Sequence, residues 1–345
     1  MDLAGFVIVL LIGGVLAWIF CVVTIVWSLT HPPRRGFTWA LSKSQPATPA
    51  ELPPPFGPKR FEAWTFRSSH GRGVFEAWDI PGDDPRGPVC IFTHGWGDSR
   101  ISSLDRLGAL SACCSRVIMW DMAAHADTPA SRAEASPSWL AMGTNEVLDL
   151  VDLVRTVSEG ERAGGRPRVV LAGFSLGAGI SIAAGADDRI SSLISGVIAH
   201  APYRLPATPA ESVLMLRGMP HGVTLSAALM IIGVLARQPL TWLRAGGSFD
   251  RARHASRLRC PLLVIQSEAD AICPIADGRE IAAAAGAATG TRGRTGGTLC
   301  VLKISGHSEL WSHAEARIAG EAIGAFIRSL APLPSVGASP ERSGA

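Results

Sequence analysis

Several chemistries are missing from this chain. It has no Cys-x-x-Cys, no His-Glu-x-x-His and no acidic calcium loop, so no metal site is expected from those spacings. No Walker-type or Rossmann glycine pattern is present, which removes the common phosphate- and dinucleotide-cradling loops and leaves no reason to expect a cofactor. Charge of one sign does not accumulate: the formal net charge is +3 over 345 residues, too weak a field to call for nucleic acid or a strongly acidic partner. The Gly- and Arg-rich run at 286–297 reads as a solvated loop. Disulfide pairs are not indicated either, because the cysteines number seven and are scattered. Cys90, Cys260 and Cys300 fall in apolar stretches as small fillers, which fits a reducing compartment. No internal repeat is visible.

What the chain does have begins at its N-terminus. From Leu3 to Leu29 there are 27 residues without a charge, more than the roughly 20 needed to cross a bilayer. A cleaved signal would have a basic start, a shorter apolar core and small residues at the cut. This segment starts Met1-Asp2 and carries Trp18, Phe20 and Trp27, so a retained membrane anchor over residues 1–30 is the better expectation. Nothing basic precedes it, whereas Arg34, Arg35 and Lys43 follow; the positive-inside rule then places the remainder of the chain in the cytoplasm. Residues 31–59 hold eight prolines in 29 positions and are expected to form a semi-rigid extended spacer. The Pro-, Ser- and Gly-rich tail, 331–345, is expected to be disordered.

Between 60 and 330, apolar strands alternate with helices. Strands are predicted at 60–68, 73–80, 88–94, 115–121, 167–173, 193–201, 260–267 and 298–304. Helices are predicted at 99–112, 143–158, 175–186, 275–286 and 312–330. This is the pattern of an α/β domain: a mostly parallel eight-stranded sheet covered by helices on both faces, with an antiparallel hairpin at one edge. An insertion at about 202–258 interrupts the alternation as a cap. Its uncharged stretch Val223–Ala236 is too short to span a bilayer. The large side chains there, Leu225, Met230, Ile231 and Val234, suit packing on the core or lining an acyl pocket equally well.

The most informative pentapeptide is Gly173-Phe174-Ser175-Leu176-Gly177, set between a predicted strand and a small-residue helix. A Gly-x-Ser-x-Gly in that context is a nucleophile elbow, which lifts a serine oxygen above a parallel sheet. Gly173 and Gly177 are expected to be required, because a side chain at either would clash as strand and helix crowd together. The partners of such a serine follow in chain order, acid then histidine, each after a strand. Asp270 and His307 occupy those places, with Glu268 and His313 in reserve. For an oxyanion the backbone N–H groups of Leu176 and Trp96 are the expected donors, Trp96 from the loop His94-Gly95-Trp96-Gly97 after the third strand. His94 is expected to brace that loop by hydrogen bonds rather than act as a base, with Gly95 supporting the same turn.

These segments, together with Glu268-Ala-Asp-Ala-Ile-Cys-Pro274, Trp120–Asp127 and Gly143-Thr-Asn-Glu146, resemble the α/β-hydrolases of the serine esterase, lipase and aminopeptidase type. Within that superfamily the chain is most similar to membrane-anchored members with a single N-terminal helix. The resemblance implies an α/β-hydrolase fold and a serine hydrolase that cleaves ester or thioester bonds of small-molecule or lipid acyl substrates. It implies Ser175 as nucleophile, His307 as base and Asp270 as orienting acid, with no cofactor and no metal. A serine peptidase or acyltransferase using the same residues is the alternative, as is a catalytically silent, membrane-tethered interaction module. Two departures stand out. Met122-Ala-Ala replaces an Arg-Gly in the turn after the fourth strand, and 37 positions separate Asp270 from His307. The acyl group, the leaving group and the oligomeric state are not legible in the sequence.

Overall fold

A computed structural model of the chain describes residues 2–54, 56–70, 73–125, 138–160, 168–287 and 296–330. The expected tail, most of the Gly- and Arg-rich run and the end of the Trp120–Asp127 turn lie outside the described residues.

All eight predicted strands are present: β1 (Glu62–Arg67), β2 (Val74–Pro81), β3 (Val89–Thr93), β4 (Arg116–Trp120), β5 (Val169–Phe174), β6 (Ile194–His200), β7 (Leu262–Ser267) and β8 (Gly297–Leu302). They form one sheet in the order β1-β2-β4-β3-β5-β6-β7-β8. The first two make the expected antiparallel edge hairpin, Glu62 opposite Asp79 through Arg67 opposite Val74. From β4 to β8 every pairing is parallel. Every residue of β3, β5, β6 and β7 is buried, which is why these strands read as unbroken apolar runs: both faces are covered. The helices are α1 (Leu3–Thr30), α2 (Phe37–Ser42), α3 (Leu107–Ser111), α4 (Glu146–Gly160), α5 (Leu176–Gly185), α6 (Ala207–Leu216), α7 (Gly222–Leu235), α8 (Arg251–Ala255), α9 (Ile275–Ala287) and α10 (Ala316–Ser329). One face of the sheet buries Leu150, Ile180, Leu229 and Ile281 of α4, α5, α7 and α9. The other buries Leu107, Ile323 and Phe326 of α3 and α10.

The insertion between β6 and β7 carries α6, α7 and α8. Helix α7 buries Thr224, Leu225, Ala228, Leu229 and Ile232 but leaves Val223, Ile231, Val234 and Leu235 exposed. Its packing partner is α1. Helix α1 is 28 residues long with a mean hydropathy of 3.0 in its most apolar window, long and apolar enough to cross a membrane. From Leu3 to Phe20 its large side chains are exposed, whereas Val22, Ile25 and Leu29 are buried. Those three recur at helical spacing on one face, so the last two turns belong to the domain core.

Two expectations about the N-terminal region are therefore corrected. Helix α1 is not a separate element up to residue 30, because its last turns pack on the domain, and residues 31–59 are not an extended spacer. After α1 the chain forms α2 and a single turn at Pro49–Glu51, and Ala40, Ala47 and Leu52 are buried beside Trp78, Ile80 and Leu104. The Ser99 hydroxyl donates to the Arg35 carbonyl at 2.6 Å, Arg35 pairs with Asp98, and the Leu140 N–H donates to the Thr30 carbonyl at 2.8 Å. Proline stiffness alone would keep such a segment extended, but apolar residues between the prolines give it a surface to bury.

Removing residues 1–20 is expected to leave this packing intact. Removing 1–30 strips Val22, Ile25 and Leu29, each contributing about 1.5–3 kcal/mol by burial. Thermal melts in detergent should place the shorter truncation within a few degrees of the full chain and the longer one roughly 10 °C or more below it. Equal melting of the two truncations would put the end of α1 outside the folded core.

Candidate active site

The sheet brings the sequence-predicted residues to one edge. Thr93 at the end of β3 lies opposite Gly173 at the end of β5, so the His94 loop and Ser175 emerge side by side. Asp270 follows β7 and His307 follows β8. All four segments leave the carboxyl ends of parallel strands, where open α/β sheets place their sites.

Ser175 occupies the sharp turn between β5 and α5 with φ 52° and ψ −112°, a left-handed backbone that costs a non-glycine residue about 1–3 kcal/mol. Its own N–H donates to the His200 carbonyl at 2.8 Å, which holds the turn against β6. The two glycines are needed for the expected reason. A Cβ on Gly177 would lie 2.1 Å from the Thr93 carbonyl oxygen, and one on Gly173 would lie 2.3 Å from the Gly177 carbonyl oxygen.

Ser175, His307 and Asp270 form one hydrogen-bonded chain. His307 Nε2 is 3.0 Å from Ser175 Oγ, and His307 Nδ1 is 2.8 Å from Asp270 Oδ2. A carboxylate only accepts, so Nδ1 carries the proton and Nε2 is left as the acceptor of the serine hydroxyl. The other Asp270 oxygen, Oδ1, accepts from the Ile272 and Cys273 N–H groups at 2.9 and 2.8 Å. One carboxylate thus shapes its own turn and orients the imidazole. The ring of Phe174 lies 4.9 Å from that of His307. The reserve residues are elsewhere: Glu268 is on the surface with Lys303 at 3.0 Å, and His313 Nδ1 accepts from the Glu315 N–H at 3.3 Å.

Glu315 carried no signal in the sequence, yet it fixes the approach to His307. Its carboxylate accepts from the N–H groups of Lys303, Ile304 and Ser305 at 2.6, 3.2 and 2.8 Å. Burial works to raise its pKa, but these backbone donors outweigh it and hold the group down to about 2. Cys273 was also missed. Its thiol is fully buried beside Ser175, and burial pushes its pKa well above the ordinary value. Donor atoms of Asp270, Cys273 and His307 lie within 4.8 Å of one another, but the ring nitrogens and carboxylate oxygens are committed to the hydrogen bonds above. A divalent ion does not fit that protonated, occupied set.

The loop after β3 is clasped by two histidines. His94 Nδ1 donates to the Gly95 carbonyl at 2.8 Å, and its Nε2 accepts from the Met122 N–H at 3.0 Å. His125 accepts from the Gly97 N–H at 3.1 Å and donates to the Ala123 carbonyl at 2.7 Å. His94 therefore braces the loop, as expected, and His125, which sequence reasoning gave no role, completes the brace. Gly95 is held under Phe174, where a Cβ would lie 2.8 Å from the ring. The clasp is made with the backbone of the Met122-Ala-Ala turn, through the Met122 N–H and the Ala123 carbonyl. The Trp96 indole N–H donates to the Leu29 carbonyl at 3.0 Å, tying α1 to the same loop.

Ser175 and His307 open into a cavity of about 190 Å³ lined by Leu29, Trp96, Met142, Leu176, Pro209 and Val213, among others. Pro209 and Val213 come from α6. Of the two readings for the four large α7 side chains, pocket lining is not what the structure shows, since none of them is on this cavity: Leu225 is core, and Ile231 and Val234 face outward. Leu29, contributed by α1, is a lining residue that sequence reasoning did not anticipate.

No protein-family model matches the chain, and no curated protein matches it in sequence. Solved structures do match in shape. An esterase of Pyrococcus furiosus superposes with a TM-score of 0.60 at 15% identity, over 87% of this chain and 98% of that one. An acylaminoacyl peptidase of Pyrococcus horikoshii gives 0.54 at 13%, over 78% and 41%. A puromycin-hydrolyzing peptidase of Mycobacterium tuberculosis gives 0.56 at 18%, over 81% and 41%.

His94 and His125 have pKa values lowered by burial, His125 the more strongly; burial also pushes His254 down to about 3. Protons then bind the unfolded chain more readily than the folded one. The stabilisation is complete above about pH 6.5 and lost as pH falls from there toward the folded-state values. Melting temperature is expected to drop between pH 7 and pH 5, and His125→Gln, with its own lower starting point, to show a shallower drop. A pH-independent melting temperature over that window would mean that these rings are not neutral in the fold. With its eight-stranded sheet, its elbow and its neighbours in shape, the chain has the α/β-hydrolase fold.

Proposed function

We propose that this protein is a membrane-anchored serine hydrolase that cleaves carboxylic esters or thioesters through an acyl-enzyme. The observation that carries the reading is the continuous chain from Ser175 through His307 to Asp270, opening on a cavity with apolar residues in its wall. In this reading Ser175 Oγ attacks the carbonyl carbon as His307 Nε2 takes its proton. The imidazolium that forms is stabilised by Asp270, and it returns the proton to the leaving oxygen or sulfur. Water then enters, His307 deprotonates it, and attack on the acyl-enzyme releases the acid and restores Ser175. The tetrahedral oxyanion is held by the N–H groups of Leu176 and Trp96, which flank the cavity. Each such donor is worth roughly 3–4 kcal/mol in comparable sites.

The esterase among the structural neighbours supports ester cleavage, and the peptidases among them keep amide cleavage as a second reading. Leu29, Trp96, Met142, Pro209 and Val213 offer an acyl group an apolar wall, with Arg35 and Ser308 on the same lining. Helix α1 is read as the membrane anchor. With no basic residue before it and Arg34, Arg35 and Lys43 after it, the domain is assigned to the cytoplasmic side.

A fluorophosphonate probe should label Ser175 in the folded protein. Ser175→Ala and His307→Ala are each expected to lower kcat by about 10³-fold or more, with the double variant little worse than either single one. Asp270→Asn should retain roughly tenfold more rate than they do. Folded protein that does not label would favour the silent module, and loss of turnover in His313→Ala with retention in His307→Ala would displace the assigned base.

The orientation has its own test. A reporter active only in the cytoplasm, fused after Leu330, is expected to be active, and protease added outside intact cells should spare the domain. Cleavage of the domain would reverse the assignment.

A further inference from the structure

Helix α1 divides into two lengths. Its exposed part, Leu3 to Phe20, is 18 residues, or about 27 Å of helix, close to the roughly 30 Å of a hydrocarbon core. Domain packing begins at Val22, without an intervening linker. A helix that fills the bilayer therefore delivers the domain directly onto its surface. Leu29, on the cavity wall, is nine residues beyond Phe20 and so about 13 Å above the hydrocarbon. The headgroup layer itself occupies roughly 5–8 Å on each side.

The neighbouring surface matches such a position. The outer face of α7 exposes Val223 at 77% and Val234 at 62%, and Met215 and Leu216 of α6 are 59% and 72% exposed. Helix α7 packs along α1 and has no charged residue, so these side chains continue the apolar surface of α1 instead of forming an isolated patch. Trp27, on the stretch of α1 that packs against the domain, is 65% exposed, and tryptophan favours the membrane–water interface. Arg217 lies over the Trp96 ring and reaches Ser28, a cation placed where anionic headgroups begin. The cavity, at about 190 Å³, is below the roughly 300–1,000 Å³ that encloses a drug-sized ligand. It has room for an ester group and a short run of methylenes, not for a complete long acyl chain.

We infer that the outer faces of α6 and α7 lie against the headgroup layer beside α1, and that the site takes lipid-phase acyl esters from the leaflet, with the distal chain remaining in the membrane. This rests on the serine-hydrolase and membrane-anchor readings above. It assigns the exposed apolar face of the cap to lipid, and Leu29 of α1 to the boundary between membrane and site.

The test uses the full chain in phosphatidylcholine vesicles. Turnover of membrane-dissolved 4-methylumbelliferyl oleate is divided by turnover of water-soluble 4-methylumbelliferyl acetate. Val223→Glu and Val234→Glu are expected to lower that ratio about tenfold, because a charge at the leaflet boundary lifts the cap away from the lipid. Fluorophosphonate labelling of Ser175 should be unchanged. Ile318→Glu, on α10 at the opposite face of the sheet, should leave the ratio as in the wild type. If a glutamate variant loses labelling, the milder Val223→Asn and Val234→Asn are read in its place. An unchanged ratio in variants that label normally overturns the inference and leaves the hydrolase reading standing. A wild-type protein that neither labels nor cleaves either ester overturns both.

Discussion

The site depends on one close approach: the first turn of α5 pressed against the end of β3. Gly177 leaves no room for a Cβ beside the Thr93 and His94 carbonyls, and that contact sets how sharply the chain must turn at Ser175. The serine accepts a left-handed backbone because the flanking elements are both buried and both fixed, β5 in the middle of the sheet and α5 across it. Local strain is held by packing on either side. The same approach sets the first turn of α5 beside the His94 loop. Electrophile geometry, nucleophile exposure and loop position thus have a common steric origin.

Around this point the protein uses buried polar groups as fasteners. His94 and His125 each join two backbone segments, and Glu315 gathers three successive N–H groups ahead of His307. These groups do not need to touch a substrate to matter. They restrict the loops that carry the reacting groups, and a displacement of about 1 Å in such loops is enough to cost catalysis heavily. Their value depends on protonation state, so the loops are stiffest where the histidines are uncharged and the carboxylate is ionised.

The fold was largely legible because each buried strand is a short apolar run ended by glycine, proline or a polar turn. Ser175, Asp270 and His307 were legible because they follow three such strands in order. What escaped has a different physical character. Glu315 acts through backbone donors 10 to 12 residues away, and nothing in its local sequence separates it from an ordinary exposed glutamate. His125 sits in a visible turn, but its partner Gly97 is 28 residues distant. The proline-rich segment suggested stiffness; the deciding factor was the burial of Ala40, Ala47 and Leu52 between the prolines. The outward face of α7 was misassigned because an apolar helix has no polar side to mark which way it faces, and its neighbour α1 is more than 190 residues away in sequence.

The hydrogen bond from Trp96 to Leu29 spans 67 residues, and it joins the end of α1 to the loop after β3. Closing a chain loop of that length costs little more than closing one half as long, because the entropy grows only with the logarithm of length. Assembly acquires an order, however. The first segment made must be in place before the loop after β3 can reach its final shape. Maturation of the loop that carries Trp96 is thereby coupled to the last two turns of α1, from Val22 onward, and not to its exposed length.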